Sequence, residues 1–202
     1  AVADRIAQEL PKIQPTPPAV RVLDAGVGEG TVLTRIMRWM HQRYPTLPFY
    51  IVAKESSLED VRLTLDKMSD RFSEHPGTVL VLTNLYYREA PWLTPSSGLD
   101  VESFTWHEVG LKGTTSRDFE AQISDLQPFL IEGWRTAVNK KTGSLKYAKP
   151  TALILYREDQ KFSLNSIIPR RNEPCADYDL VIASQPYRLR ARPPSLVNLQ
   201  AL

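Results

Sequence analysis

The chain has 202 residues, 42% of them hydrophobic, which is enough for one domain with a packed core. No stretch is apolar enough to span a bilayer, and the first ten residues carry Asp4 and Arg5 where a signal peptide would be apolar. A single cysteine, Cys175, excludes an internal disulfide and a zinc cluster. We therefore expect a cytoplasmic globular protein without a membrane-spanning segment.

The net charge is +2, and it is unevenly distributed. Between Arg135 and Arg192 the sequence contains twelve basic and five acidic residues. This excess allows an anionic partner such as a nucleic acid without favouring one, because most such charges only form a solvated surface.

The first elements are predicted to be a helix, a strand, a glycine loop and a second helix. Residues 1–13 have the apolar spacing of a short amphipathic helix. The apolar run Val20–Leu23 predicts a buried strand, and Thr31–Met40 has helical spacing. Between them lies Asp24-Ala25-Gly26-Val27-Gly28-Glu29-Gly30. The unpaired N–H groups at a helix N-terminus suit a polar or anionic ligand group.

A second strand, Phe49–Ala53, completes a βαβ unit with the helix before it. Ser56 and Glu59 have capping-box spacing and predict the start of the next helix, which runs to Phe72. Glu55 lies at the tip of the second strand, where the two oxygens of a carboxylate match a vicinal diol.

The segment Val22–Gly30 resembles the first motif of class I S-adenosylmethionine-dependent methyltransferases, Val-Leu-Asp-x-Gly-x-Gly-x-Gly. The resemblance implies that S-adenosyl-L-methionine is the cofactor and that Glu55 binds its ribose. A third strand, Thr78–Thr83, precedes the candidates for adenine contact. The residues implied at the cofactor are Asp24, Ala25, Gly26, Gly28 and Gly30 for the methionine part, Glu55 for the ribose, and Asn84 and Leu85 for the adenine.

The last apolar strand, Asp177–Ala183, leads into Ser184-Gln185-Pro186-Tyr187. This turn resembles the fourth-strand motif of methyltransferases that act on amino groups, from which Gln185 departs. The resemblance implies that Ser184 accepts a hydrogen bond from the target nitrogen and that Tyr187 stacks on the substrate. His107 is the candidate base if a proton must be removed. The sequence has no metal-ligand constellation, so we expect no metal site.

The middle of the chain is predicted to hold a strand at Ser103–Val109, a helix from Ser116 to Trp134 that is kinked near Pro128, and a β-hairpin. The hairpin consists of Thr151–Tyr156, a polar turn and Lys161–Ile168.

Two arrangements fit these elements. In the first, Ser103–Val109 is the fourth strand of the main sheet. In the second, residues 85–176 form one long insertion and Leu180–Ala183 is the fourth strand. We favour the second, because the polar turn after Tyr156 cannot hold a crossover helix. It implies that the distal part of the sheet is absent, truncated or supplied by a partner, so the open edge invites a homo-oligomer.

The predicted fold is therefore α/β, a Rossmann-like open sheet of parallel strands flanked by helices, with a long α+β insertion that contains an antiparallel hairpin. One methyltransferase-like domain spans residues 1–202, with its core at 19–84 and 177–187. The predicted function is methyl transfer from S-adenosyl-L-methionine to an unidentified acceptor, such as an amino or amide nitrogen. The alternative is a non-catalytic nucleotide-binding or protein-interaction module. The alternating glycines disfavour a nicotinamide-dependent oxidoreductase.

Overall fold

The computed structural model of the chain describes residues 2–96, 98–138, 143, 145–173 and 176–184. The strands are β1 (Val20–Ala25), β2 (Phe49–Lys54), β3 (Thr78–Thr83), β4 (Thr105–Leu111), β5 (Thr136–Val138), β6 (Leu145–Tyr147), β7 (Thr151–Arg157) and β8 (Leu180–Ile182). The helices are α1 (Val2–Glu9), α2 (Thr31–Arg43), α3 (Leu58–Asp66), α4 (Met68–Glu74), α5 (Gly98–Ser103), α6 (Ser116–Ser124), α7 (Gln127–Gly133) and α8 (Lys161–Leu164). Short 3-10 helices lie at Leu10–Lys12, Ala90–Trp92 and Glu158–Gln160.

Six of the strands form one open sheet in the order β4-β7-β3-β2-β1-β8. Strands β1, β2, β3 and β8 are parallel, β7 is antiparallel to β3, and β4 is parallel to β7. Strands β5 and β6 form a separate antiparallel pair. The fold is thus α/β with a mostly parallel sheet flanked by helices, as predicted, and it is consistent with a Rossmann-like arrangement.

The central strands have a buried side chain at almost every position, which is typical of a parallel sheet covered on both faces. Alternate residues along β2 enter two separate cores. Ile51 packs with α2, α3, α4, α6 and α7 on the first face, whereas Tyr50 and Val52 pack on the second face. The second face is covered by the segments around Phe104, Leu164 and Ile167. The first face therefore carries the crossover helices that position the glycine loop.

Strand β8 lies beside β1, with Ile182 opposite Asp24 in a parallel register. The prediction that Leu180–Ala183 supplies a strand of the main sheet is confirmed for Leu180–Ile182. Strands β4 and β7 extend the sheet beyond β3, on the side away from β8. Residues 85–176, predicted to be an insertion, thus contribute two strands to the main sheet.

The predicted hairpin between Thr151–Tyr156 and Lys161–Ile168 is wrong in its second arm. Strand β7 pairs with β3 and β4, while the chain after it forms a 3-10 turn and α8. Leu164 and Ile167 are buried three residues apart, which is helical spacing, and Phe162 is 97% exposed. The antiparallel hairpin of the insertion is formed by β5 and β6 instead.

The predicted cap of α3 is displaced by one residue, whereas α6 starts at Ser116 as predicted. The cap of α3 is Ser57, whose hydroxyl accepts from the Asp60 N–H, so the pair Ser56 and Glu59 is wrong. The cap of α6 is Thr115, which forms a capping box with Asp118. The described part of the chain contains no helix long and apolar enough to cross a membrane.

Candidate functional site

The candidate site lies where β1 and β2 end at the same edge of the sheet. Asp24 is opposite Ala53 in the parallel register, and Glu55 follows β2 directly. The crevice beyond the carboxyl ends of parallel strands is the usual ligand position in open α/β sheets. The structure therefore brings together the two acids that the sequence predicts for one site.

The glycine loop between β1 and α2 has three glycines with positive φ. The angles are 118° at Gly26, 57° at Gly28 and 78° at Gly30. Side chains disfavour this conformation, so glycine is required by the backbone path itself. Gly30 is also the N-cap of α2, and its Cβ position lies 3.0 Å from the Thr64 Cα. The loop consequently packs closely on α3.

Gly30→Ala is expected to destabilise the fold by roughly 2–3 kcal/mol, because positive φ and the contact with Thr64 act together. Gly143→Ala is the matched control, since Gly143 has φ +65° but no described residue lies within 4 Å of a Cβ added there. We expect it to lose only about 1 kcal/mol. Urea unfolding of both variants measures the difference, and equal losses would show that packing against α3 contributes nothing.

Glu55 is buried and binds the glycine loop. Its Oε2 accepts the Gly28 N–H at 3.0 Å, and its Oε1 accepts the N–H groups of Ser56 at 2.7 Å and Ser57 at 2.9 Å. A carboxylate offers about four lone-pair positions, and three backbone donors already use three of them. Glu55 therefore orders the loop and the start of α3, and it keeps limited capacity for a ligand hydroxyl.

Asp24 is fully buried, and neither carboxylate oxygen has a hydrogen-bond partner among the described residues. Burial, and to a smaller extent the nearby charge of Glu55, raise its pKa from 3.8 to about 7. Buried acids are normally hydrogen-bonded, so a buried carboxylate without a partner would be stabilised by a hydrogen-bond donor or a cation from a ligand. This carboxylate is the strongest indication that the site receives a ligand.

Lys54 is the nearest cation to Glu55 in the sequence, and it is nearly buried at the end of β2. Its Nζ lies 4.7 Å from the centre of the Tyr87 ring and 3.4 Å from the Ser56 hydroxyl. Burial lowers the pKa of Lys54, while Glu55 opposes that change. Burial and Glu55 together raise the pKa of Tyr87. Beside the two acids, the candidate site therefore has the buried amine of Lys54 and the aromatic ring of Tyr87.

Two further side chains support the site and were not predicted from the sequence. The Thr64 hydroxyl donates to the Gly28 carbonyl at 2.8 Å, and the Trp134 indole N–H donates to the Glu55 carbonyl at 2.8 Å. Thr64 lies in a helix that the sequence places beside the loop. Trp134 comes from the insertion, and no local signal indicates that its indole reaches β2.

The residues predicted to contact adenine have structural partners. Both amide hydrogens of Asn84 are donated to backbone carbonyls, of Gly133 at 2.8 Å and of Lys149 at 2.9 Å. Leu85 is fully buried on the second face of the sheet. In this structure neither side chain presents a free donor or an exposed apolar surface to a base.

The predicted catalytic residues do not form one group. Ser184 lies two positions beyond Ile182, which pairs with Asp24. Ser184 is therefore at the carboxyl ends of the strands, the same end of the sheet as the glycine loop. His107 lies in β4 at the opposite edge, five strand spacings or roughly 24 Å away. Its ring stacks on Phe129 at 4.4 Å. His107, the candidate base, therefore lies far from both Ser184 and the glycine loop, and Tyr187 lies outside the described residues.

The described residues contain no group of three or more His, Cys, Asp or Glu side chains that could hold a metal ion. Comparison of the chain with protein families, curated proteins and solved structures finds no match. The function must therefore be argued from the site itself. Its chemistry is that of two close acids beside an ordered glycine loop, which favours a ligand with positive charge and hydroxyl groups.

Proposed function

We propose that the protein is a methyltransferase that uses S-adenosyl-L-methionine. The observation that supports this most strongly is the orphaned carboxylate of Asp24, buried between the glycine loop and Glu55. The order β3-β2-β1-β8, all parallel, supports it as well, since it gives the site the setting that the sequence motifs imply.

S-adenosyl-L-methionine supplies an electrophilic methyl group on a positively charged sulfur. In this proposal Asp24 provides the negative charge for the cationic cofactor, and Glu55 uses its remaining lone pair for a ribose hydroxyl. Gly26, Gly28 and Gly30 allow close approach to the loop backbone. The residues proposed to hold the cofactor are therefore Asp24, Ala25, Gly26, Gly28, Gly30 and Glu55.

Ser184 is proposed to orient the acceptor, since it lies just beyond the strand next to β1. Methyl transfer needs alignment of an attacking atom and exclusion of water more than it needs an acid or base. The acceptor is proposed to be a nitrogen of an amino or amide group, as the resemblance of the Ser184–Tyr187 sequence motif implies. A base at His107 is not part of the proposal.

Calorimetric titration tests the proposal directly. We expect S-adenosylhomocysteine to bind and NAD not to bind. Gly28→Val should abolish binding, because a β-branched residue is strained at φ 57° and its Cβ would hold the ligand off the backbone. Tyr187→Ala should leave binding nearly intact. Equal loss in both variants, with the fold of each checked by circular dichroism, would contradict the division between cofactor and acceptor residues.

A second candidate is a non-catalytic nucleotide-binding or protein-interaction module. It is favoured by Glu55, whose carboxylate is already bonded to three backbone N–H groups of the loop and α3. Failure of both S-adenosylhomocysteine and NAD to bind would favour this module over the enzyme.

A further inference from the structure

Two neighbouring cavities lie on the second face of the sheet, the face opposite α2. Their volumes are about 320 and about 230 Å³. The segment after α8 lines both cavities, so they adjoin each other, and we refer to the two together as the groove. The shared residues are Asn165, Ile168, Pro169 and Arg170.

Each cavity has an aromatic wall. Trp92 lines the larger cavity and is 52% exposed, with Tyr50 below it. Trp106 lines the smaller cavity, half-buried and edge-on to Phe104 at 5.8 Å. Exposed indole faces are surfaces on which planar bases stack, largely without regard to sequence. The groove therefore offers one tryptophan for each of two planar groups.

The groove is also positively charged. Its walls contain four basic residues and two acidic ones. Arg170 belongs to both cavities and is exposed, and its guanidinium has no ion pair or hydrogen bond within the described part of the chain. The basic residues are Arg21, Lys161, Arg170 and Arg171, and the acidic ones are Glu108 and Glu173.

We propose that this groove binds single-stranded nucleic acid. Two planar groups, one on each tryptophan, and a negative charge at Arg170, which lines both cavities, match two consecutive nucleotides joined by a phosphate. A single nucleotide would fill one cavity and leave the other tryptophan uncovered. The site is separate from the glycine loop and does not depend on the methyltransferase proposal.

Fluorescence anisotropy with a short labelled oligothymidylate tests the groove. We expect binding that weakens as salt rises from about 50 to about 200 mM. Arg170→Glu and Trp92→Ala should each reduce the affinity about tenfold or more. Arg117→Glu, an exposed arginine in α6, and Phe162→Ala, which is 97% exposed and lines neither cavity, are the matched controls and should leave affinity unchanged.

Three results would overturn the proposal: no binding at low salt, equal losses in Arg170→Glu and Arg117→Glu, or competition by thymidine monophosphate as strong as by unlabelled oligonucleotide. The last result would mean that the groove holds one compact anion. Binding of S-adenosylhomocysteine should be the same in all these variants, so failure of the groove and failure of the proposed enzyme are distinguishable.

Discussion

Asp24→Asn is expected to stabilise the protein at pH 8 and to weaken its binding of S-adenosylhomocysteine. Asparagine has the shape of a protonated aspartate but cannot ionise, so it removes the free energy needed to keep a charge in a buried, unpartnered position. Stability and binding should therefore change in opposite directions. A purely structural acid would change stability alone.

The pKa of Asp24 determines at which pH the Asp24→Asn substitution stabilises the protein. The pKa of Asp24 is raised from an ordinary 3.8 to about 7 in the folded protein, so the folded state holds this proton more tightly than the unfolded state does. The contribution of protonated Asp24 to the free energy of unfolding is fully present below pH 3.8 and is lost as pH rises through 7. The loss at pH 8 is on the order of 4 kcal/mol. Wild type and variant should be about equally stable at pH 4.

The measurement is urea unfolding of both proteins across this pH range. His75 changes in the opposite sense, because burial lowers its pKa from 6.5 to about 4 and stability is lost as pH falls through that interval. The difference between wild type and variant cancels this contribution. Asp66→Asn, at an exposed position in α3, is the control. A wild type more stable than Asp24→Asn at pH 8 would contradict the burial of an unpartnered charge.

The sequence predicted the first half of the site well, because its signals are local. The strand, glycine loop and helix from Val20 to Arg43 follow from apolar spacing and from glycine at positions of positive φ. The strand at Leu180–Ile182 was also predicted as part of the sheet, and the structure shows that it is the parallel partner of β1. The polar turn after β7 favoured this arrangement, although β4, from the Ser103–Val109 region, belongs to the main sheet as well.

Long-range pairing accounts for what was not predicted. Strand β7 pairs with β3 and β4 instead of with its successor in the chain, and this sends His107 to the far edge of the sheet. No pattern around His107 indicates that position. The hydrogen bonds of Asn84 could not be predicted from the local sequence either, because its three partners lie 49 to 67 residues away in the chain. Sequence motifs placed Asn84 at the correct strand end, but tertiary contacts determine what its amide binds.

Asn84→Ala is expected to destabilise the fold by roughly 2–4 kcal/mol. The side chain is buried, donates to the Gly133 and Lys149 carbonyls and accepts the Thr151 N–H at 2.8 Å. It thereby joins the end of β3 to α7 and β7. Alanine would leave the Thr151 N–H without this acceptor in a buried position. Among the described side chains, the Thr151 hydroxyl would then be the donor to the two carbonyls, and its single hydrogen serves one carbonyl at a time, at 3.2 or 3.3 Å.

Gln122→Ala is the matched control for Asn84→Ala. The Gln122 amide donates to the Lys112 and Asp118 carbonyls and accepts the Lys112 N–H, so it makes the same number of backbone bonds at an exposed site. Water replaces those partners, and we expect a loss below about 1 kcal/mol. Urea unfolding compares the two variants, and similar losses would show that burial of Asn84 is unimportant. Folded Asn84→Ala should bind S-adenosylhomocysteine as wild type does, since both amide hydrogens are already donated within the protein. A weaker affinity of Asn84→Ala for S-adenosylhomocysteine would support the predicted contact between Asn84 and adenine.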